Sequence, residues 1–196
     1  MILGLGHPRT GTGFTSKLCT LWGINVGHEK SRSDGIIDWR YVMPYGPYPF
    51  NSMRNVAKRP NYDHLIYNVR DPNTSLPSIL FTEDANMRSK VFRSSFLKYP
   101  HSNPIEFSIS SIATFDKMIC DIKPDLTYRV EDQQKKLFDF LESTGYSVKY
   151  KEFSTPVNTR SHSTLDDALS QHSVSSFHQN LMHNFCDKYE YPHIIF

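Results

Sequence analysis

A short run of glycine, hydroxyl and basic residues follows the first apolar segment of the chain. Residues 6–17 read GHPRTGTGFTSK, directly after MILGL. A strand that feeds a glycine turn and then a helix presents free backbone N–H groups to an anion at the positive end of the helix dipole. Gly11 and Gly13 allow the backbone to curve closely around such a ligand. Hydroxyl donors are supplied by Thr10, Thr12, Thr15 and Ser16. The pattern predicts an anion-binding loop, with a glycine turn that binds no ligand as the alternative.

This loop departs from the nucleoside triphosphate loop at the positions that carry its chemistry. A Walker A loop requires Gly-x-x-x-x-Gly-Lys-[Ser/Thr]. Gly6 and Gly11 have that spacing, but Thr12 and Gly13 stand where the lysine and the hydroxyl residue belong. The basic residue is instead Arg9. The sequence therefore disfavours triphosphate chemistry, and a P-loop kinase with a degenerate loop stays as the alternative enzyme.

A second polar group follows the strongest predicted strand, HLIYNV at residues 64–69. Arg70 ends this strand, and Ser78 closes the following segment, RDPNTSLPS. Ligands of open parallel sheets bind outside the carboxyl ends of the strands, so both polar groups are expected at one edge. An arginine at that edge can hold a phosphate through charge-assisted hydrogen bonds. The alternative for Arg70 is a surface pair with Asp71.

Together, these segments resemble sulfotransferases that use 3′-phosphoadenosine 5′-phosphosulfate (PAPS). PRTGTGFTSKL (8–18) is similar to the 5′-phosphosulfate loop of that family, and Arg70 and Ser78 have the spacing of its 3′-phosphate site. Two weaker matches follow in the same order: YRVED (128–132), then VNTR (157–160) with CDKYEY (186–191). The resemblance implies a three-layer P-loop-like α/β fold, with a central parallel sheet flanked by helices.

The resemblance also implies which residues hold the co-substrate PAPS and its product, adenosine 3′,5′-bisphosphate. These are Arg9, Thr10, Gly11, Thr12, Gly13, Phe14, Arg70, Ser78 and, from the late basic segment, Arg160. Arg9 would stabilise the negative charge that develops on the bridging oxygen as the sulfuryl group leaves. An arginine at this place looks more like the carbohydrate and protein-tyrosine branches than the small-phenol branch. Sulfuryl transfer from PAPS implies no metal ion.

An acceptor hydroxyl must lose its proton as it attacks sulfur, so a general base is expected near the loop. The cytosolic small-molecule branch has a histidine in a Lys-Thr-His segment, which this sequence lacks. Carbohydrate-type members carry a glutamate at the corresponding place. Glu29 is therefore the predicted base, and His28 is the second candidate. The alternative for Glu29 is an ion pair with Lys30 or Arg32.

Composition limits the remaining possibilities. A chain of 196 residues is long enough for one domain with a real core, here residues 1–196. A net charge of +2 implies no broad nucleic-acid footprint, and three scattered cysteines without a CxxC pair argue against a zinc site. No apolar run reaches membrane-spanning length and no signal-peptide pattern appears, which predicts a cytoplasmic protein.

The expected partner is a small-molecule or glycan acceptor, with no nucleic acid and no membrane span. No oligomeric state is predicted. Because the chain is short for the family, its acceptor-binding insertions are expected to be reduced. A protein that binds adenosine 3′,5′-bisphosphate without turnover is therefore the non-enzyme alternative.

Alternating strand and helix segments predict a parallel sheet with helices on both faces. The predicted strands are 2–6, 24–27, 64–69, 126–130 and 146–153. The predicted helices are 12–23, 33–42, 73–99, 105–122, 131–145 and much of the tail from 165. Trp22, Trp39 and Tyr128 are expected in the core, although Tyr128 is also a candidate to face the adenine. Residues 43–51 and 154–163 are predicted loops, and Tyr45, Tyr48 and Phe50 in the first are candidates to stack on the acceptor.

Overall fold

A five-stranded, all-parallel sheet forms the centre of the protein. The computed structural model describes residues 1–43, 59–153 and 163–196. The strands are β1 (Ile2–Leu5), β2 (Val26–His28), β3 (Gly35–Ile37), β4 (His64–Val69) and β5 (Leu126–Arg129), in the order β2-β3-β1-β4-β5. This confirms the predicted α/β class.

Helices cover both faces of the sheet. They are α1 (Thr12–Leu21), α2 (Pro72–Ser78), α3 (Met87–Ser94), α4 (Pro104–Asp121), α5 (Gln134–Ser143), α6 (Leu165–Gln171) and α7 (Ser176–Tyr189). A 3-10 turn, Trp39–Val42, follows β3, and a π-helical turn, Ile79–Glu83, follows α2. None of the helices in these described ranges combines the length and apolar character needed to cross a bilayer.

The period of two along the strands divides the core into two layers. In β1, Ile2 contributes to a cluster with Leu18 of α1 and Leu137 of α5. Leu3 and Leu5 point to the other face, into a cluster built on α2, α4 and α7. Because successive strand residues face opposite sides, an apolar run such as MILGL suits a strand that is buried on both faces.

The predicted helix at residues 33–42 is wrong, because part of this segment pairs with the sheet. Gly35–Ile37 forms β3 between β1 and β2, and only Trp39–Val42 is helical, as a short 3-10 turn. A Cβ atom on Gly35 would lie 2.0 Å from the carbonyl oxygen of Ile2, so glycine permits this close strand pairing. The two β-branched residues that follow favour the extended backbone.

The predicted strand at residues 146–153 is also wrong. This segment joins no strand in the described sheet, and it packs across α1 and α5 instead. Trp22 Nε1 donates to the Lys151 carbonyl at 2.8 Å, and the Tyr150 ring contacts Trp22 and Phe138. Its alternating apolar residues are therefore used for packing on helices.

Several other predictions concern single side chains. Trp22, Trp39 and Tyr128 are buried, which confirms their place in the core. The aromatic residues Tyr45, Tyr48 and Phe50 lie outside the described residues.

The strand order creates a switch point between β1 and β4. After β1 the chain enters α1 on one face of the sheet, whereas after β4 it enters α2 on the other face. Where connections diverge in this way, a crevice opens outside the carboxyl ends of the two strands. The two predicted anion-binding segments begin at these two strand ends.

Candidate functional site

The loop after β1 is a closed turn that leads directly into α1. Both the backbone N–H and the hydroxyl of Thr10 donate to the His7 carbonyl, at 3.1 and 2.7 Å. Arg9 and Gly11 have positive φ angles of 74° and 97°. Gly11 is the N-cap of α1 and offers no side-chain cap to the first N–H groups of the helix. These backbone donors and the helix dipole suit an anion.

Asn68 of β4 forms a hydrogen bond to the loop after β1. Its side chain is fully buried, and its Nδ2 donates to the Thr10 carbonyl at 2.8 Å. A Cβ atom on Gly6 would lie 2.5 Å from Asn68 Nδ2, so the loop can pass this close only with glycine at that position. Asn68 Oδ1 accepts no hydrogen bond from the described residues. Sequence reasoning missed Asn68, although an amide within the apolar strand HLIYNV was a usable signal.

Arg9, Arg70 and Ser78 were predicted from separate segments, and the structure brings them together. Arg9 Nε donates to Ser78 Oγ at 3.0 Å, and Arg70 Nη1 donates to the Arg9 carbonyl at 3.1 Å. Arg70 Nε also donates to Thr74 Oγ1 at 3.2 Å. The end of β4 and the last residue of α2 therefore both contact the loop after β1.

The charge around Arg70 is partly balanced by two carboxylates. Burial lowers the pKa of the Arg70 guanidinium, while the charges of Glu131 and Asp71 oppose that shift. Asp71 itself caps α2 by accepting from the Asn73 N–H at 2.9 Å. Arginine stays protonated in proteins, so Arg9 and Arg70 both keep their positive charge at this edge of the sheet.

The predicted base candidates lie at the end of β2, beside the first turn of α1. His28 Nε2 is 3.3 Å from Thr12 Oγ1, so His28 contacts the loop helix directly. Glu29 Oε1 accepts from Trp39 Nε1 at 2.9 Å and lies 3.9 Å from His28 Nε2. Glu29 has a positive φ of 54°, which turns the chain away from the sheet at this point.

Some of the hydroxyl groups predicted to face an anion have partners inside the protein. Thr15 Oγ1 bonds to Tyr128 OH at 2.6 Å, and Ser16 Oγ donates to the Val26 carbonyl at 3.0 Å. The prediction that these two hydroxyls donate to an anion is therefore wrong, because their protons are used within the protein. They lie one turn into α1, and Thr15 Oγ1 also donates to the Gly11 carbonyl at 3.0 Å.

Three further residues were predicted to contact the co-substrate: Gly13, Phe14 and Arg160. Gly13 and Phe14 lie in the first turn of α1, and the Phe14 ring packs against Phe153 at a centroid distance of 5.6 Å. Arg160 lies outside the described residues. Across residues 1–43, 59–153 and 163–196, no group of three or more histidine, cysteine, aspartate or glutamate side chains is arranged to hold a metal ion.

Comparisons with known proteins identify no relative of this chain. Scans against family models, curated proteins and solved structures each gave no significant match. Function is therefore inferred from the loop, the two arginines and the groups that contact them.

Proposed function

We propose that this protein is a sulfotransferase that moves a sulfuryl group from PAPS to a hydroxyl acceptor of carbohydrate or glycan type. The observation that carries the proposal is the meeting of Arg9, Arg70 and Ser78, with contacts of 3.0 and 3.1 Å. PAPS bears a phosphosulfate at one end of its ribose and a phosphate at the other. It therefore requires two anion sites that are adjacent but built from different strand ends.

The loop after β1 is proposed to hold the phosphosulfate. Its backbone N–H groups at Gly11, Thr12 and Gly13 lie at the start of a ten-residue helix. Arg9 has four further guanidinium hydrogens besides the one on Nε. As the sulfuryl group leaves, negative charge grows on the bridging oxygen, and a guanidinium fixed beside it stabilises that charge. Ser78 fixes Arg9 through its Nε, at 3.0 Å.

The segment after β4 is proposed to hold the 3′-phosphate. Arg70 supplies a guanidinium at the strand end, and Ser78 supplies a hydroxyl that is 2% exposed. Because Ser78 Oγ accepts the Arg9 hydrogen bond, its own proton is available for a phosphate oxygen. A charge-assisted bond from arginine and a neutral bond from serine together suit a phosphate dianion.

Glu29 is proposed as the general base, and His28 as the alternative. The Glu29 side chain is 42% exposed, so an acceptor can reach its carboxylate. The Trp39 N–H donates to one carboxylate oxygen of Glu29 and so fixes the position of this carboxylate. The case for His28 is its direct contact with Thr12. Glu29 Oε1 reaches the loop only through His28, whose Nε2 lies 3.9 Å from it and 3.3 Å from Thr12 Oγ1.

Thermal unfolding with different nucleotides tests the proposal. Adenosine 3′,5′-bisphosphate is expected to stabilise the protein by about 2.7 kcal/mol at a hundredfold excess over its Kd. AMP, which lacks the 3′-phosphate, should stabilise it much less. Stabilisation by ATP–Mg²⁺ alone would replace the proposal with a kinase that has a degenerate loop. Transfer of sulfur-35 from PAPS to a panel of sugars, glycans and phenols then separates an enzyme from a protein that only binds the nucleotide.

A further inference from the structure

His7 is a buried histidine inside the anion-binding loop, and the proposed chemistry does not use it. Its side chain is 2% exposed. His7 Nδ1 lies 2.7 Å from the Pro8 carbonyl oxygen, and His7 Nε2 lies 2.7 Å from Ser111 Oγ of α4. Its ring also packs edge-on against Phe115, with a centroid distance of 4.7 Å. A residue 104 positions away in sequence thus holds the second residue of the loop.

The chemistry of these groups fixes the position of each proton. A carbonyl oxygen only accepts, so His7 Nδ1 carries the hydrogen that it shares with Pro8. Arg93 Nη1 donates to Ser111 Oγ at 3.4 Å, and a guanidinium only donates. In a neutral ring with its hydrogen on Nδ1, Nε2 only accepts, so the Ser111 hydroxyl donates to it. Burial and the charge of Arg93 lower the pKa of His7 well below its usual value, which keeps the ring neutral.

Arg93 is itself firmly held. It is fully buried, forms an ion pair with Asp84 through Nη2, and donates from Nε to Ser89 Oγ at 3.3 Å. Asp84 Oδ2 accepts a further hydrogen bond from Ser108 at 2.9 Å. A buried charge pair is tolerated when its remaining polar atoms are satisfied in this way. The chain of hydrogen bonds therefore starts from a rigid group in the layer formed by α3 and α4.

We propose that this chain, from Arg93 through Ser111 to His7, positions the anion-binding loop, and that His7 is its positioning residue. The His7 carbonyl accepts both the N–H and the hydroxyl of Thr10, so its direction closes the turn that contains Arg9. Because Ser111 and Phe115 hold the His7 side chain, they also restrain the backbone at His7, and loss of this hold would let its carbonyl and the turn that contains Arg9 shift. Only the identity of the ligand rests on the proposed function; the positioning of the loop does not.

Helix α4 offers a matched control one residue away. Ser110 and Ser111 are both fully buried, and each contacts a buried histidine. Ser110 Oγ lies 3.1 Å from His178 Nε2, on the side of α4 that faces α7. Ser110→Ala and Ser111→Ala therefore remove the same group from the same helix. Only Ser111→Ala removes the contact with the loop.

The first measurement is the nitrogen-15 NMR spectrum of the His7 ring. In the wild type we expect a single neutral tautomer with hydrogen on Nδ1 and no titration between about pH 5 and 8. Ser111→Ala should shift the Nε2 resonance and speed the exchange of the Thr10 amide hydrogen, while Ser110→Ala should leave both unchanged. Titration of His7 in the wild type, or equal effects of the two variants, would overturn the proposal.

The second measurement is the affinity for adenosine 3′,5′-bisphosphate at a temperature where every variant is folded. Ser111→Ala should weaken it by about three- to tenfold, the usual net effect of one hydrogen bond, and Ser110→Ala should not. An altered His7 spectrum with unchanged affinity would show that the chain of bonds does not position the loop. If the wild type binds no bisphosphate, the proposed function fails, and the His7 spectrum with Thr10 exchange decides the positioning role alone.

A second pair of variants covers a failure of Ser111→Ala to fold. Threonine and valine have nearly the same shape, but only threonine keeps the hydroxyl. Ser111→Thr should therefore keep the wild-type His7 tautomer and nucleotide affinity. Ser111→Val should change both. Equal behaviour of these two variants would contradict a role for the hydroxyl.

Discussion

Arg9 Nε lies 3.0 Å from Ser78 Oγ, which joins two segments that are 69 positions apart in sequence. One segment is the loop after β1, and the other is the last turn of α2. The two predicted anion-binding segments are therefore physically connected. A ligand that moves Arg9 also changes the hydrogen bonding of Ser78, so the two segments are expected to respond together.

Replacing Arg70 by alanine should weaken the binding of adenosine 3′,5′-bisphosphate by about 2–4 kcal/mol, because a charge-assisted contact to the 3′-phosphate is lost. Adenosine 5′-phosphosulfate, which lacks this phosphate, should lose little affinity. Titration calorimetry measures both ligands. Arg88→Ala, at an exposed arginine of α3, is the control for loss of charge alone. Equal losses for the two ligands would place Arg70 away from the 3′-phosphate.

The general base is tested by Glu29→Gln, which keeps shape and hydrogen bonding but cannot accept a proton. Turnover should fall by about 10²–10⁴, while nucleotide affinity stays within about threefold. Arg9→Ala should instead reduce both turnover and affinity, because Arg9 is proposed to contact the nucleotide both before and during the reaction.

The same assay decides between the two candidate bases. If Glu29→Gln transfers sulfate at the wild-type rate and His28→Ala does not, the base is His28. If both variants retain full turnover, neither residue is the base and the acceptor binds elsewhere.

Gly6→Ala should distort the loop, because its Cβ atom would lie 2.5 Å from Asn68 Nδ2 and 2.8 Å from Thr10 Oγ1. Overpacking of this kind costs about 1–3 kcal/mol of unfolding free energy. Urea unfolding and nucleotide affinity should both show the loss. Asn68→Ala removes one of the two clashing groups, so the double variant should lose less than the sum of the single losses. Additive losses would mean that Gly6 and Asn68 are not in contact.

Stability at acid pH should depend on Glu106 of α4. Burial raises the pKa of its carboxyl, but hydrogen bonds from the Ser175 and Ser102 backbone and the nearby His178 outweigh burial and lower the pKa to about 2. The unfolded value is about 4.3. A carboxyl with a depressed folded pKa stabilises the protein above the unfolded value and loses that contribution as pH falls through the folded one.

Urea unfolding between pH 5 and about 2 measures this contribution. The unfolding free energy of the wild type should fall more steeply over this range than that of Glu106→Gln. Glu142→Gln, at an exposed glutamate of α5, should follow the wild type. A wild type and Glu106→Gln with parallel pH profiles would contradict the predicted linkage.

The elements that depend on local pattern were predictable from the sequence. β1, the loop after it, α1, β4 and the start of α2 each combine an apolar run with a glycine, cap or proline signal, and they position Arg9, Arg70 and Ser78. The segment Gly35–Ile37 was not predictable in the same way, because its strand character depends on pairing with β1 and β2. The strand propensity of a segment does not show whether it pairs with distant strands.

The supporting groups of the site were missed for a related reason. His7 is held by Ser111 and Arg93, and Asn68 by Thr10, across large separations in sequence. A histidine or asparagine within an apolar segment is visible as an anomaly. Its partner becomes known only once the helices and strands are placed.

The bond between Trp39 and Glu29 gives the protein an intrinsic optical reporter. Trp39 is largely buried, and its indole N–H ends on the carboxylate proposed as the base. The other indole, Trp22, packs at the far end of α1 against Phe138 and Tyr150. Fluorescence from a Trp22→Phe protein would therefore come from Trp39 alone. Its emission wavelength and quenching would report, in real time and without a label, when a ligand occupies the region around Glu29.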